Sequence, residues 1–168
     1  MDKHPYQVLP LDNGSKIILT PCPGTKGTGL AESIVDLAQE GAKIILTLMF
    51  DEEMIENNIQ LIPELCKQEG ITWLQLPIVD DDVPKEAFEN QWQQRYSLLL
   101  ETLKSGGGIA IHCKGGTGRT GLVAAMLLTH FGYSYEKTIK LIQNVRPKAL
   151  RNDAQLAYFK SFTERLCQ

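Results

Sequence analysis

An alternation constrains this chain more than any other feature. Three short apolar runs, Lys43 to Met49, Ile71 to Leu76 and Gly108 to His112, are separated by longer stretches of helical periodicity, Ile55 to Glu69 and Lys85 to Lys104. The runs are of strand length, and the first two are rich in Ile, Leu, Thr or Trp. Strand, helix, strand, helix, strand leads to a parallel sheet. Parallel neighbours need a crossover, and crossover helices bury their apolar stripes on the sheet. Pro63 predicts a break, or two short pieces, in the first of those helices. Upstream, Tyr6 to Leu11 and Lys16 to Thr20 flank Asp12-Asn13-Gly14, the pattern of a small hairpin. An irregular connector rich in Pro and Gly follows, from Pro21 to Gly29. The apolar rhythm from Leu30 to Gln39 predicts a helix, and Gly41 stands where it should stop. After Cys113 the chain turns helical over Thr120 to Phe131, Tyr135 to Val145 and Asn152 to Leu166. The expected fold class is α/β: a central, mostly parallel sheet with helices on both faces, a glycine-rich loop between a strand and a helix, and a C-terminal helical layer. At 168 residues the chain should form one domain, spanning 1–168.

Charge and cysteine usage narrow the function classes. Net charge is −3, from 17 basic and 20 acidic side chains, so there is no broad basic face and nucleic acid is not an expected partner. The longest apolar stretches, such as Ile44 to Phe50, fall far short of the roughly 20 residues a membrane span needs. No apolar core follows the opening Met-Asp-Lys-His-Pro, so no secretion signal is expected. Cys22, Cys66, Cys113 and Cys167 are scattered without metal or disulfide-scaffold spacing. A reducing, cytoplasmic setting follows as the expectation, and no cofactor is expected.

The chemistry concentrates between Ile109 and Gly121. This stretch leaves a buried-looking strand, passes through Gly115, Gly116 and Gly118, and enters a helix. Such a junction aims unpaired backbone N–H groups at one point beside the positive end of a helix dipole, which is an anion site. The glycines let the backbone curl closely around a ligand. Lys114 and Thr117 complete the loop lining. Cys113 opens the loop, where N–H dipoles and a nearby cation favour thiolate. Such settings bring a thiol pKa from ~8.5 down to between ~3.5 and ~7.5. Arg119 closes the loop with a planar fork that grips two phosphate oxygens. Thiolate and guanidinium facing one pocket imply attack by sulfur on phosphorus. The Thr120 hydroxyl is placed to stabilise the sulfur as it departs. The Walker phosphate loop matches poorly, because Arg119-Thr120 stands where it has lysine and a hydroxyl. A leaving oxygen needs a proton from a mobile loop at the same sheet edge, and Asp80-Asp81-Asp82-Val83-Pro84 supplies three carboxylates there.

The segment His112 to Thr120 resembles the His-Cys-x5-Arg-Ser/Thr signature of the protein tyrosine phosphatase superfamily. From Leu9 to about Phe162 the chain is similar to the small dual-specificity branch, most of all to the kinase-associated phosphatase family that acts on cyclin-dependent kinases. Leu76-Pro77-Ile78-Val79-Asp80, the signature loop, Gln155 and Tyr158 carry that likeness. The resemblance implies that Cys113 is the nucleophile, Arg119 binds the phosphoryl group, Asp80 is the general acid, and no metal is used. Asp82 is the other candidate acid, and Gln155 is carried over as a supporting residue. The implied partner is a phosphorylated protein, with a kinase as partner on family similarity alone. The expected reaction is hydrolysis of phosphotyrosine, extending to phosphoserine and phosphothreonine, through phosphocysteine. Two alternatives stand beside it: a phosphoinositide or small phosphoester phosphatase, and a phospho-binding module without catalysis. Thr117, where a lipid phosphatase loop carries a second lysine, weakens the lipid reading.

Among the neighbours, His112 should point away from substrate and order the loop backbone from a buried position. Lys114 is expected at the pocket mouth, and Arg146, Lys148 and Arg151 along a basic rim. Trp73 and Trp92 read as core. Cys22, Cys66 and Cys167 read as structural or exposed thiols, with a disulfide to Cys113 left open as an oxidation product.

Overall fold

The computed structural model describes residues 3–167. Met1, Asp2 and Gln168, at the ends of the expected single-domain span, lie outside the described residues. The hairpin forms as β1 (Gln7–Pro10) and β2 (Lys16–Thr20), paired antiparallel. Then come α1 (Leu30–Glu40), β3 (Ala42–Thr47), α2 (Asp51–Glu56), α3 (Ile62–Gln68), β4 (Thr72–Gln75), α4 (Glu86–Lys104) and β5 (Gly108–His112). Three helices finish the chain: α5 (Gly118–His130), α6 (Tyr135–Val145) and α7 (Asp153–Leu166). The sheet order is β1-β2-β5-β3-β4, with every pair parallel except β1 with β2.

The central place of β5 follows from its sequence, since Gly108 to His112 holds no residue that must face water and all five are buried. Period-two alternation divides its neighbours between two cores. Ile17, Leu19, Ile44, Leu46, Ile109 and Ile111 face a core shared with α4, α5, α6 and α7. Ile18, Ile45 and Ala110 face a smaller core with Ile34 and Leu37 of α1, Met54 of α2, and Ile62 and Cys66 of α3. Truncating one such buried Ile or Leu to Ala typically costs about 2–5 kcal/mol. Gly41 stops α1 in the left-handed region at φ 112°, as its position predicts. The Ile55 to Glu69 stretch is two helices, with Pro63 in the first turn of α3. The first of them begins at Asp51 rather than Ile55, because Asp51, Glu52 and Glu53 suit a helix N-terminus although they carry no apolar rhythm. Trp92 is core, whereas Trp73 is only partly buried. Helix α5 is covered on every side from Arg119 to Leu128.

Candidate active site

Because β2, β3, β4 and β5 run parallel, the loops that leave them gather at one edge of the sheet, the usual place for ligands in open α/β folds. Main-chain bonds stitch these loops together. Cys22 N–H donates to the Lys114 carbonyl at 3.0 Å, Leu48 N–H to that of His112 at 3.0 Å, and Ile78 N–H to that of Leu48 at 3.1 Å.

The glycine-rich loop wraps the Cys113 sulfur. Gly116 N–H lies 3.3 Å from Sγ and the Thr120 hydroxyl 3.1 Å. Cys113 is 3% exposed, so only a group projecting into the loop reaches it. Thr117 precedes α5 without a side-chain cap, which leaves the first-turn N–H groups without a side-chain partner. The three loop glycines do different things. Gly116 adopts φ 76°, and a Cβ there would stand 2.5 Å from both Thr20 C and Pro21 N. A Cβ on Gly115 would meet nothing within 4 Å, and one on Gly118 would touch only the Gln155 side chain at 3.5 Å. Of the three, only Gly116 is pressed closely against the protein's own backbone, at the end of β2.

Arg119 is 1% exposed, and three acceptors hold one arm of its fork. Nη1 donates to Glu53 Oε1 at 2.9 Å, to the Ile78 carbonyl at 3.0 Å and to the Leu48 carbonyl at 3.4 Å. Nε and Nη2 are buried and make no hydrogen bond, so two donors remain for the oxygens of a tetrahedral anion. Burial opposes the charge. The Glu53 hydrogen bond, with Cys113 and Asp80 nearby, outweighs it and raises the guanidinium above its ordinary value.

The three adjacent aspartates are told apart by their contacts. Asp80 Oδ1 lies 3.5 Å from Arg119 Nη2 and accepts from Asp81 N–H at 3.0 Å, while its side chain stays 67% exposed. Asp82 Oδ1 turns back to its own loop, accepting from Val83 N–H at 2.7 Å with Lys85 at 3.6 Å. Asp81 takes φ 58°. Of the three, Asp80 faces the guanidinium.

His112 supports the loop from beneath. Its Nδ1 is 3.1 Å from the Cys113 carbonyl, which only accepts, so Nδ1 carries the proton. Nε2 then accepts from the Thr47 hydroxyl at 2.7 Å, whose oxygen accepts from Trp73 Nε1 at 2.8 Å. This chain fits a neutral ring, and burial pushes the imidazole down to about 4.

Around the rim, Lys114 is exposed and donates to Asn57 Oδ1 at 2.6 Å. Thr117, Arg146, Pro147 and Lys148 line a recess of about 200 Å³, and burial lowers the Arg146 guanidinium. Beside them Arg151 is exposed, with its Nε donating to the Pro147 carbonyl at 3.1 Å. All four cysteines are free, and burial pushes the Cys22 and Cys66 thiols up to about 12. Sequence reasoning missed Glu53 and Thr47. The available signal was position: both close β3 or follow it, at the edge where β5 delivers Cys113.

A thiol under two hydrogen-bond donors, a half-satisfied buried arginine and a facing carboxylate on this fold define a cysteine-dependent phosphatase. The family described as "polymorphic toxin system, DSP-PTPase phosphatase" matches residues 23–133. The chain belongs to these DSP-PTPase phosphatases, in the small dual-specificity branch of the protein tyrosine phosphatase superfamily. It is 24% identical to the PRL-1 phosphatase of Drosophila melanogaster over 123 residues, covering 66% of each chain. It is 28% identical to protein tyrosine phosphatase type IVA 3 of Bos taurus over 138 residues, covering 79% of this chain and 71% of that one. The fold matches kinase associated phosphatase, solved with its catalytic-site cysteine substituted by serine. The TM-score is 0.85 at 24% identity, over 99% of this chain and 98% of the other. PTPMT1 matches with a TM-score of 0.74 at 20% identity, over 96% of each chain.

Proposed function

We propose that the protein removes phosphate from phosphorylated protein side chains in two displacements at one cysteine. In the first, Cys113 Sγ attacks phosphorus, an S–P bond forms and the P–O ester bond breaks. Asp80 gives its proton to the leaving oxygen. Arg119 Nε and Nη2, with the loop N–H groups, hold the equatorial oxygens where charge builds. In the second, water attacks phosphorus, the Asp80 carboxylate takes its proton, and the S–P bond breaks. The Thr120 hydroxyl donates to the departing thiolate. Lys114, Gly115, Gly116, Thr117 and Gly118 form the lining that meets the phosphoryl group. One observation carries this reading: Gly116 N–H and the Thr120 hydroxyl converge on Cys113 Sγ beside the two spare donors of buried Arg119.

Phosphotyrosine is the substrate class we favour. Phe50 lies two residues beyond Leu48, and Val79 directly follows Ile78, the two residues whose carbonyls hold Arg119; both Phe50 and Val79 are exposed apolar side chains suited to an aryl ring. Two experiments test the proposal. Cys113→Ser should abolish turnover of para-nitrophenyl phosphate, and tungstate should protect wild-type Cys113 from iodoacetate. Turnover retained in the serine variant refutes the mechanism. Matched phosphotyrosine and phosphothreonine peptides test the class, and equal kcat/KM on both refutes the preference. The cytoplasm is the proposed setting, because a thiol nucleophile needs a reducing one; fractionation of cells checks it. Kinase association, the property in one relative's name, is part of the proposal, and co-precipitation with a protein kinase reads it out.

A further inference from the structure

Gln155 is a buried polar side chain that the two displacements leave without a task. It is 1% exposed, in the first turn of α7, where Asn152 caps the helix by accepting from Gln155 N–H at 3.0 Å. Both side chains reach the aspartate loop. Gln155 Nε2 donates to the Asp82 carbonyl at 3.0 Å, and Asn152 Nδ2 stands 3.5 Å from the Asp81 carbonyl. On its other side the Gln155 carboxamide packs against Gly118, where a Cβ would lie 3.5 Å from Oε1 and 3.6 Å from Nε2. One carboxamide therefore spans the aspartate loop and the first residue of α5.

The loop closes on itself through Asp82 N–H donating to the Val79 carbonyl at 3.0 Å and turns at Asp81, φ 58°, a left-handed conformation that Asp tolerates better than most residues with a Cβ. The Asp80 carboxylate is two-thirds exposed, and its contacts are the next N–H in the chain and Arg119 at 3.5 Å. Its position is set by the main chain of residues 80–82, and that main chain is what α7 grips.

The geometry points to Gln155, assisted by Asn152, as positioning residues for proton transfer: by tethering the Asp81 and Asp82 carbonyls to α7 they fix the Asp80 carboxyl over the glycine-rich loop. The inference rests on Asp80 as the acid. A neutral amide suits the task, because its hold does not change as Asp80 gains and loses its proton. Displacing a reacting group by about 1 Å is enough to cost on the order of 100-fold in rate.

The test is kcat/KM across aryl phosphates whose phenols range from strongly to weakly acidic, together with rapid-mixing kinetics. A poor leaving group needs the proton, and a good one, such as dinitrophenol, does not. Gln155→Leu should lose about tenfold or more on phenyl phosphate, a part of the ~10² to ~10⁴ that loss of a general acid costs, and little on dinitrophenyl phosphate. Asn152→Asp keeps the cap and replaces the donor, so it should tilt the dependence the same way by less. If Gln155→Leu fails to fold by circular dichroism, the Asn152→Asp slope decides. An equal loss on every substrate overturns the inference, as a merely structural role would give. A wild-type kcat/KM on every substrate, with kcat lowered and a larger phenol burst than wild type, also overturns it, since Gln155 would then act on phosphocysteine hydrolysis alone. Asp80→Asn distinguishes the two levels. If that variant shows no leaving-group dependence the acid assignment itself fails, whereas strong dependence there with none in either tether variant sinks only the tether.

Discussion

Gly116→Ala turns the loop geometry into numbers. The residue sits at φ 76°, where an L side chain is disfavoured by about 1–2 kcal/mol. Its new methyl would stand 2.5 Å from Thr20 C and Pro21 N, against the roughly 3.5–4.0 Å of ordinary contact. Those neighbours are backbone at the end of β2, so no side chain can swing aside and the loop must retreat by about 1 Å. Relieving an overpacked contact of that kind costs about 1–3 kcal/mol. Together the terms give about 2–5 kcal/mol. For a chain of this size that is a fall in Tm of roughly 4–20 °C. The same retreat pulls Gly116 N–H from Cys113 Sγ, now at 3.3 Å, and a misplacement of about 1 Å lowers turnover on the order of 100-fold. Thermal melts by circular dichroism and turnover of para-nitrophenyl phosphate measure both effects. Gly115→Ala is the control for stability, because its Cβ meets nothing within 4 Å and its Tm should stay near wild type. A Gly116→Ala protein with wild-type Tm and turnover would refute the claim that this glycine is required by contact with β2.

Three further outcomes follow from the site. Removing the acceptor with Glu53→Ala leaves Arg119 Nη1 with two carbonyls, and should raise KM for para-nitrophenyl phosphate by about tenfold or more, as for a lost hydrogen bond to a charged group; an unchanged KM means Glu53 does not orient the fork. Asp80→Asn should slow phenyl phosphate turnover by about 10² to 10⁴, and Asp82→Ala much less; the reverse order would transfer the acid role. Stability should fall with acid through His112. Its folded value of about 4 lies below the unfolded 6.5, so the unfolded chain takes up the proton first. The native state thus loses up to about 3 kcal/mol as pH drops from about 6.5 to about 4, with no penalty above that window. Urea melts at several pH values should show a smaller acid slope in His112→Asn, and equal slopes would contradict the buried neutral ring.

How much was legible in the sequence depended on how far apart the cooperating residues lie in it. The strand from Gly108 to His112 and the loop to Arg119 were readable because a buried strand, an anion-binding turn and a helix start are local, consecutive patterns. Gly41 and Pro63 marked helix ends for the same reason. The Asp80-to-Asp82 cluster was legible as a loop and the family resemblance singled out Asp80, but the residue types alone could not separate three adjacent aspartates that differ only in backbone direction. Glu53 was passed over because three acidic residues opening a helix are ordinary, and it matters only through Arg119, 66 positions away. Asn152 was read only as the start of a helix, with no sign of its contact to the Asp81 carbonyl.

The order of residues alone determined the α/β alternation, the anion cradle and the pairing of a thiol with a guanidinium across it. Periodicity, turn chemistry and capping act within a few residues, and these features need nothing more. Tertiary structure decided which carboxylate turns toward the arginine, which glycine is pressed against β2, and which helix holds the aspartate loop. Those outcomes depend on parallel strands bringing four distant loops to one edge, and on contacts across the fold: a Cβ on Gly116 would stand 2.5 Å from the end of β2, and Asn152 Nδ2 stands 3.5 Å from the Asp81 carbonyl.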